Sequence, residues 1–224
     1  MTGLFFDSST LISMAVTCSL PILRKLKPSY SGEFYITDSV YKETIGRSMS
    51  SLRFRYEGHR LKELIEDDVI KVYPDKELFG QINWLMDSIN STYSTDRRPL
   101  QIVQLGEIST LVACIKEKGD SFAVDERIAR LLVENSSALK PWLEHKMHAR
   151  ITISSDAANK WKTFISEKFI PVRSAELALS AWTKGILGND KDVLFGLLWA
   201  LKFAGCAITE DEINFYMKSD VSEF

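Results

Sequence analysis

The 224-residue sequence predicts an α/β protein: a parallel sheet flanked by helices in three layers, followed by a helical C-terminal extension. Three observations carry that reading. Short apolar runs rich in aromatic and β-branched residues recur through the chain, and stretches of helical length separate them. Beyond about residue 174 only helical patterning remains. Strands that alternate with helices are joined by crossovers, which pair them in parallel, and a parallel sheet needs cover on both faces.

The elements follow in order. "LFFD" (4–7) reads as a buried strand and is followed by a helix over 10–26; "EFYIT" (33–37) precedes helices over 39–46 and 50–66. "IKVYP" (70–74) precedes helices over 77–92 and 104–118, and "SFAVD" (121–125) is the fourth strand. "RITIS" (150–154) and "FIPVR" (169–173) could add one or two more. The extension reads as three helices, "SAELALSAWTKG", "KDVLFGLLWALKFAG" and "TEDEINFYMK", the last opened by a capping box of Thr209 with Glu212. The chain divides at 173/174: an α/β domain over 1–173, with its motifs in 3–133, and the extension over 174–224.

In the extension, Val193, Leu194, Leu197, Leu198 and Leu201 form a stripe, with Phe195, Trp199 and Phe203 on other faces. A helix apolar nearly all round must be buried in its own core or against another subunit, so a homodimer or a protein partner on these helices is expected.

Composition limits the function. Apolar residues make up 45% and charged residues 26%, enough to bury a globular core. The net charge of −2 is not that of a protein gripping nucleic acid by bulk electrostatics, so any polyanion must be held locally. Cys18, Cys114 and Cys206 are odd in number, far apart and set in apolar sequence, which reads as reduced core thiols of a cytoplasmic protein. The N-terminal stretch carries Asp7 in its apolar run and no basic leader, and "VLFGLLWAL" (193–201) is too short to span a bilayer, so no membrane association is expected.

Acidic residues carry the chemistry. Asp7 ends the first strand at its carboxyl edge, where open α/β sheets place their ligands. Glu43 lies one turn into the helix after the second strand, on the face of Val40, with Asp38 as the expected N-cap. In "LGEISTLVACIKEKGDSFAVDE" (105–126), Ile108, Leu111, Val112 and Ile115 repeat at helical spacing and Gly119 terminates. A helix from Glu107 to Lys118 runs ~18 Å and the strand over 121–125 returns ~16 Å, so Glu107 and Asp125 finish at one edge. Glu107 sits one turn before Leu111, on the buried stripe, where an unpartnered carboxylate is costly. Mg²⁺ or Mn²⁺ answers such a cluster best, because hard cations take carboxylate oxygens and offset their repulsion.

The order of the acids, in "FFDSST", "SVYKE", "LGEIST" and "AVDERIARLL", resembles PIN domains of the archaeal and bacterial type, over roughly residues 3 to 133. The resemblance implies a metal-dependent endoribonuclease that hydrolyses single-stranded or structured RNA. By position, Asp7, Glu43, Glu107 and Asp125 would be the catalytic and metal-site acids, with Ser9 a supporting contact. Glu107 stands where many members have aspartate, and residues 135 to 224 are longer than compact toxin-type members carry. RNA would be held at the rim by Arg53, Arg55 and Arg60 in the helix after Glu43, Arg97 and Arg98 before Glu107, and Arg127 and Arg130 after Asp125. A catalytically weak scaffold and the toxin half of a toxin–antitoxin pair are the alternatives.

Other patterns lead less far. His145 and His148 stand three apart without a third zinc ligand. An aspartyl-phosphatase site would need a second aspartate where Ser9 stands. The acidic "EINFYMKSDVSEF" would repel a DNA backbone.

Overall fold

The computed structural model describes residues 3–96, 98–119, 121–165 and 170–218. Its centre is a five-stranded parallel sheet of β1 (Gly3–Phe6), β2 (Glu33–Thr37), β3 (Lys71–Tyr73), β6 (Ser121–Ala123) and β8 (Ile170–Val172), in the order β3-β2-β1-β6-β8. The expected α/β three-layer architecture is thus the observed one. A small antiparallel sheet joins β4 (Tyr93–Thr95) to β5 (Arg98–Pro99) and β7 (Thr152–Ile153). Residues 150–154 therefore supply a strand of this second sheet, while 169–173 overlap the fifth central strand, Phe169 lying outside the described residues.

Alternation along β1 divides the interior. Leu4 and Phe6 point to one face, with α1 (Ser8–Val16), α2 (Pro21–Leu26) and later α5 (Arg55–Glu66). Phe5 points to the other, with α6 (Phe79–Asn90) and α7 (Leu105–Lys116). The period of two along a strand forces this split. The chain leaves β1 for β2 and β3 on one side and returns by β6 on the other, so the strand order reverses between β1 and β6. That crevice, at the carboxyl ends of the strands, is where open α/β sheets bind ligands.

Two helical expectations are corrected. The helix over 10–26 is broken into α1 and α2: Cys18 adopts φ 57°, and Pro21, which has no N–H to donate, opens the second helix. Asp38 is not the N-cap. Thr37 is, its hydroxyl accepting from the Val40 N–H at 3.2 Å, and Asp38 begins α3 (Asp38–Tyr41). That helix runs through a π-turn, Lys42–Gly46, into α4 (Arg47–Ser50).

Beyond β6 come α8 (Arg127–Glu134), α9 (Leu139–Met147) and α10 (Ser155–Phe164), then α11 (Ser174–Thr183), α12 (Lys191–Ala204) and α13 (Glu210–Lys218). The extension shares the core of the sheet: Leu177, Leu194, Leu198 and Ile213 pack in one cluster with Leu4, Phe6 and Met14. Leu194, Leu198 and Leu201 are buried, whereas Val193, Phe195 and Phe203 stay exposed and Phe195, Trp199 and Phe203 follow one another as an outer aromatic ridge. The capping box forms: Glu212 accepts from the Thr209 N–H at 2.8 Å, and the Thr209 hydroxyl accepts from the Glu212 N–H at 3.2 Å. Among the described residues no helix is long and apolar enough to cross a membrane.

Candidate active site

Asp7 lies directly beyond β1, fully buried, and its N–H continues the sheet by donating to the Ala123 carbonyl at 2.8 Å. Its carboxylate caps α1, accepting from the Ser9 N–H at 3.0 Å and the Ser9 hydroxyl at 2.6 Å. The Ser9 hydroxyl in turn accepts from the Asp125 N–H at 3.1 Å, which ties the ends of β1 and β6 together. Asp7 is thus a cap and also one of a group of acids. Burial pushes it up to about 6, against the pull of the Ser9 bonds, and the Glu43 charge adds to the rise.

Glu43 is the second residue of the wide turn in the helix after β2. The neighbouring Thr44 hydroxyl donates to the Val40 carbonyl at 2.7 Å, an alternative to the regular ladder that accompanies the π-turn. Gly106 makes the close approach of α7 possible: a Cβ there would stand 2.3 Å from Glu43 Oε2. A buried bond of 2.7 Å between the Thr37 and Ser109 hydroxyls fixes the first turn of α7 to β2.

Glu107 stands in that first turn and accepts from the Gln104 N–H at 2.9 Å. Burial pushes its carboxyl up to about 8, and the charges of Asp7, Glu126 and Glu43 push the same way. The structure therefore brings Asp7, Glu43 and Glu107 from three separate segments into one electrostatic neighbourhood. Among the described residues no lysine or arginine forms an ion pair with any of them.

Glu126 joins this neighbourhood beside Asp125, the expected fourth acid, whose oxygens are engaged in hydrogen bonds. Both Asp125 oxygens are committed: one accepts from the Ser174 N–H at 2.7 Å and the Thr10 hydroxyl at 3.4 Å, the other from the Ser174 hydroxyl at 2.7 Å. The fully buried Asp125 thereby fastens β6 to the start of α11. Glu126, half-buried at the N-cap of α8, carries the charge that acts on Glu107. Adjacent residues leaving a strand point to opposite sides, so "VDE" offered both acids, and only the contacts of Asp125 with α11 decide between them.

The donors that converge are carboxylates with the Ser9 hydroxyl beside them, hard oxygens of the kind Mg²⁺ and Mn²⁺ take, and their mutual repulsion is what a divalent cation relieves. By donor chemistry and charge the residues fit such an ion. As arranged, no group of three or more His, Cys, Asp or Glu side chains among the described residues stands ready to hold a metal ion, so the acids would have to draw together around one.

The expected rim arginines divide. Arg127 is half-buried directly after Glu126, and Arg130 is bound by Glu134, its Nη2 lying 3.0 Å from both oxygens. Arg53 lies over the Phe54 ring at 5.0 Å, Arg55 donates to the Met49 carbonyl, Arg60 lies over Tyr56, and Arg98 is exposed on β5. Arg97 lies outside the described residues. Two cations not among the expected arginines share a cavity with one of the acids: Lys42 and Arg47 line about 190 Å³ with Glu43, Phe79 and Gly106. Their signal was their spacing from Glu43 along one helix.

No family model, curated protein or solved structure matches this chain.

Proposed function

We propose that the chain is a PIN-type, metal-dependent endoribonuclease that hydrolyses phosphodiester bonds of single-stranded or structured RNA. The observation that carries the reading is that the charges of Asp7, Glu43 and Glu126 all act on Glu107 near the point where the strand order reverses, without an ion-paired cation among the described residues. A bound Mg²⁺ or Mn²⁺ supplies polarisation of a phosphate oxygen and a water made acidic enough to attack. Asp7, Glu43, Glu107 and Glu126 would hold it, with Ser9 fixing the Asp7 carboxylate. Asp125 positions this edge by tying β6 to α11. Lys42 and Arg47 stand where a scissile phosphate's neighbours would need countercharge. We read the setting as cytoplasmic, since the three cysteines are odd in number and far apart in the chain.

The test is cleavage of a labelled single-stranded RNA with Mn²⁺, with Mg²⁺ and with EDTA. Wild type should cut only with metal, and Asp7→Asn and Glu107→Gln should each lose about 100-fold or more in rate. Cleavage in EDTA, or variants as active as wild type, would defeat the proposal. The aromatic ridge of exposed Phe195 and Phe203 with half-buried Trp199 between them favours one second reading, a weakly catalytic scaffold or homodimer joined through α12.

A further inference from the structure

We propose that the cleft between α8, α9 and the segment joining α12 to α13 is a nucleotide subsite. There the Trp142 indole stacks an unpaired base and Arg127 takes the adjoining phosphate. The choice of RNA as ligand rests on the ribonuclease reading of the acid edge; the chemistry of the cleft is separate from it.

The cleft encloses about 300 Å³ and is lined by Arg127, Arg130, Glu134, Trp142, Ala207 and Glu212. That is the lower end of the size range of small-ligand sites, suited to one base with its sugar. The charges inside it are almost all spoken for. Glu134 holds Arg130, and Arg173 holds Glu212 at 2.8 Å. Arg127 is the one lining cation without an ion-pair partner among the described residues. It follows Glu126 directly in the chain.

Half-buried Trp142 supplies the apolar wall, and Lys146 Nζ stands 4.7 Å from its ring centroid. An aromatic ring near an unpaired cation is an arrangement that binds single strands: the base stacks and the backbone is neutralised. A base already stacked in a duplex cannot enter, so the subsite selects unpaired RNA. Ala207 and Glu212 come from the C-terminal extension, which makes that extension part of the substrate surface.

The test is fluorescence anisotropy of fluorescein-labelled hexa-adenylate with the full chain in EDTA, where no cleavage intervenes. Trp142→Ala should weaken binding about 10-fold, within the worth of one stacked base, while Trp142→Phe should stay within about threefold of wild type. Arg127→Ala should weaken binding and flatten its salt dependence by about one counterion. The same strand annealed to its complement should bind more weakly. Thermal melts identify any variant that has lost its fold, and Trp142→Phe and Arg127→Ala then carry the result. Wild-type affinity in both Trp142→Ala and Arg127→Ala, or no binding by wild type, would overturn the subsite. If those variants bind like wild type while metal-dependent cleavage persists, the subsite falls and the nuclease reading stands. Binding lost as expected on a chain that never cleaves leaves the subsite standing and removes the nuclease.

Discussion

Two regions of this molecule gather ionisable groups out of open solvent, and they do it in opposite ways. Around Arg173, which is 4% exposed, one cation meets two acids and a carbonyl. Its Nε lies 3.0 Å from both Glu176 oxygens, its Nη2 reaches Glu212 at 2.8 Å, and its Nη1 donates to the Ala207 carbonyl at 3.0 Å. Burial works against the arginine's charge, and the two carboxylates more than reverse that. At the acid edge, by contrast, Asp7, Glu43 and Glu126 act on Glu107, and Glu43 on Asp7, with no cation paired to any of them among the described residues. A network complete in itself binds α11 to α13 and has nothing left for a ligand. An incomplete one costs stability and invites a ligand to complete it.

The largest effect should come from breaking the complete network. Arg173→Met should destabilise the fold by about 3 kcal/mol, the low end for a broken buried pair because Glu176 and Glu212 can rehydrate. Urea unfolding measures it, and an unchanged midpoint would show that the network contributes nothing.

Asp125→Asn should come next, at about 2 kcal/mol, because an amide cannot accept from the Ser174 N–H, the Ser174 hydroxyl and the Thr10 hydroxyl together. Glu126→Gln, one residue on, should leave the unfolding midpoint nearly unchanged. Equal losses in the two variants would erase the distinction between the fastening acid and the free one.

These neighbours also mark how far the sequence could be read. The layering and the principal strands were legible because apolar runs and helical spacing are local signals. Asp7 and Glu107 were legible because lengths of helix and strand fix which edge a residue reaches. The choice between Asp125 and Glu126 was not, because it depends on Ser174, 49 residues away, which takes both Asp125 oxygens. Arg173 was passed over for the same reason: nothing near it in the chain announces Glu212 or Ala207. The break between α1 and α2 could have been taken from Pro21, but the turn at Cys18 could not.

The smallest effect is one of pH. Burial alone would raise Glu212, but the bonds from Arg173 and Thr209 overcome it and hold the carboxyl at about 2, below the ordinary 4.5. A depressed folded value means that this contribution is fully present above about pH 4.5 and is lost as pH falls toward 2. Protection of the α13 amides, measured against their intrinsic exchange rates, should therefore fall below pH 4.5 in wild type, and much less so in Glu212→Gln. Identical profiles would separate Glu212 from the docking of α13.

The central claim, that the acid edge is built to be completed by a divalent cation, is tested most directly by calorimetric titration of Mn²⁺ into the metal-free protein. Saturable binding to wild type is expected, weakened about 10-fold or more in Glu107→Gln and Glu126→Gln and retained in folded Asp125→Asn. No saturable binding to wild type, or binding that survives in Glu107→Gln and Glu126→Gln alike, would contradict it.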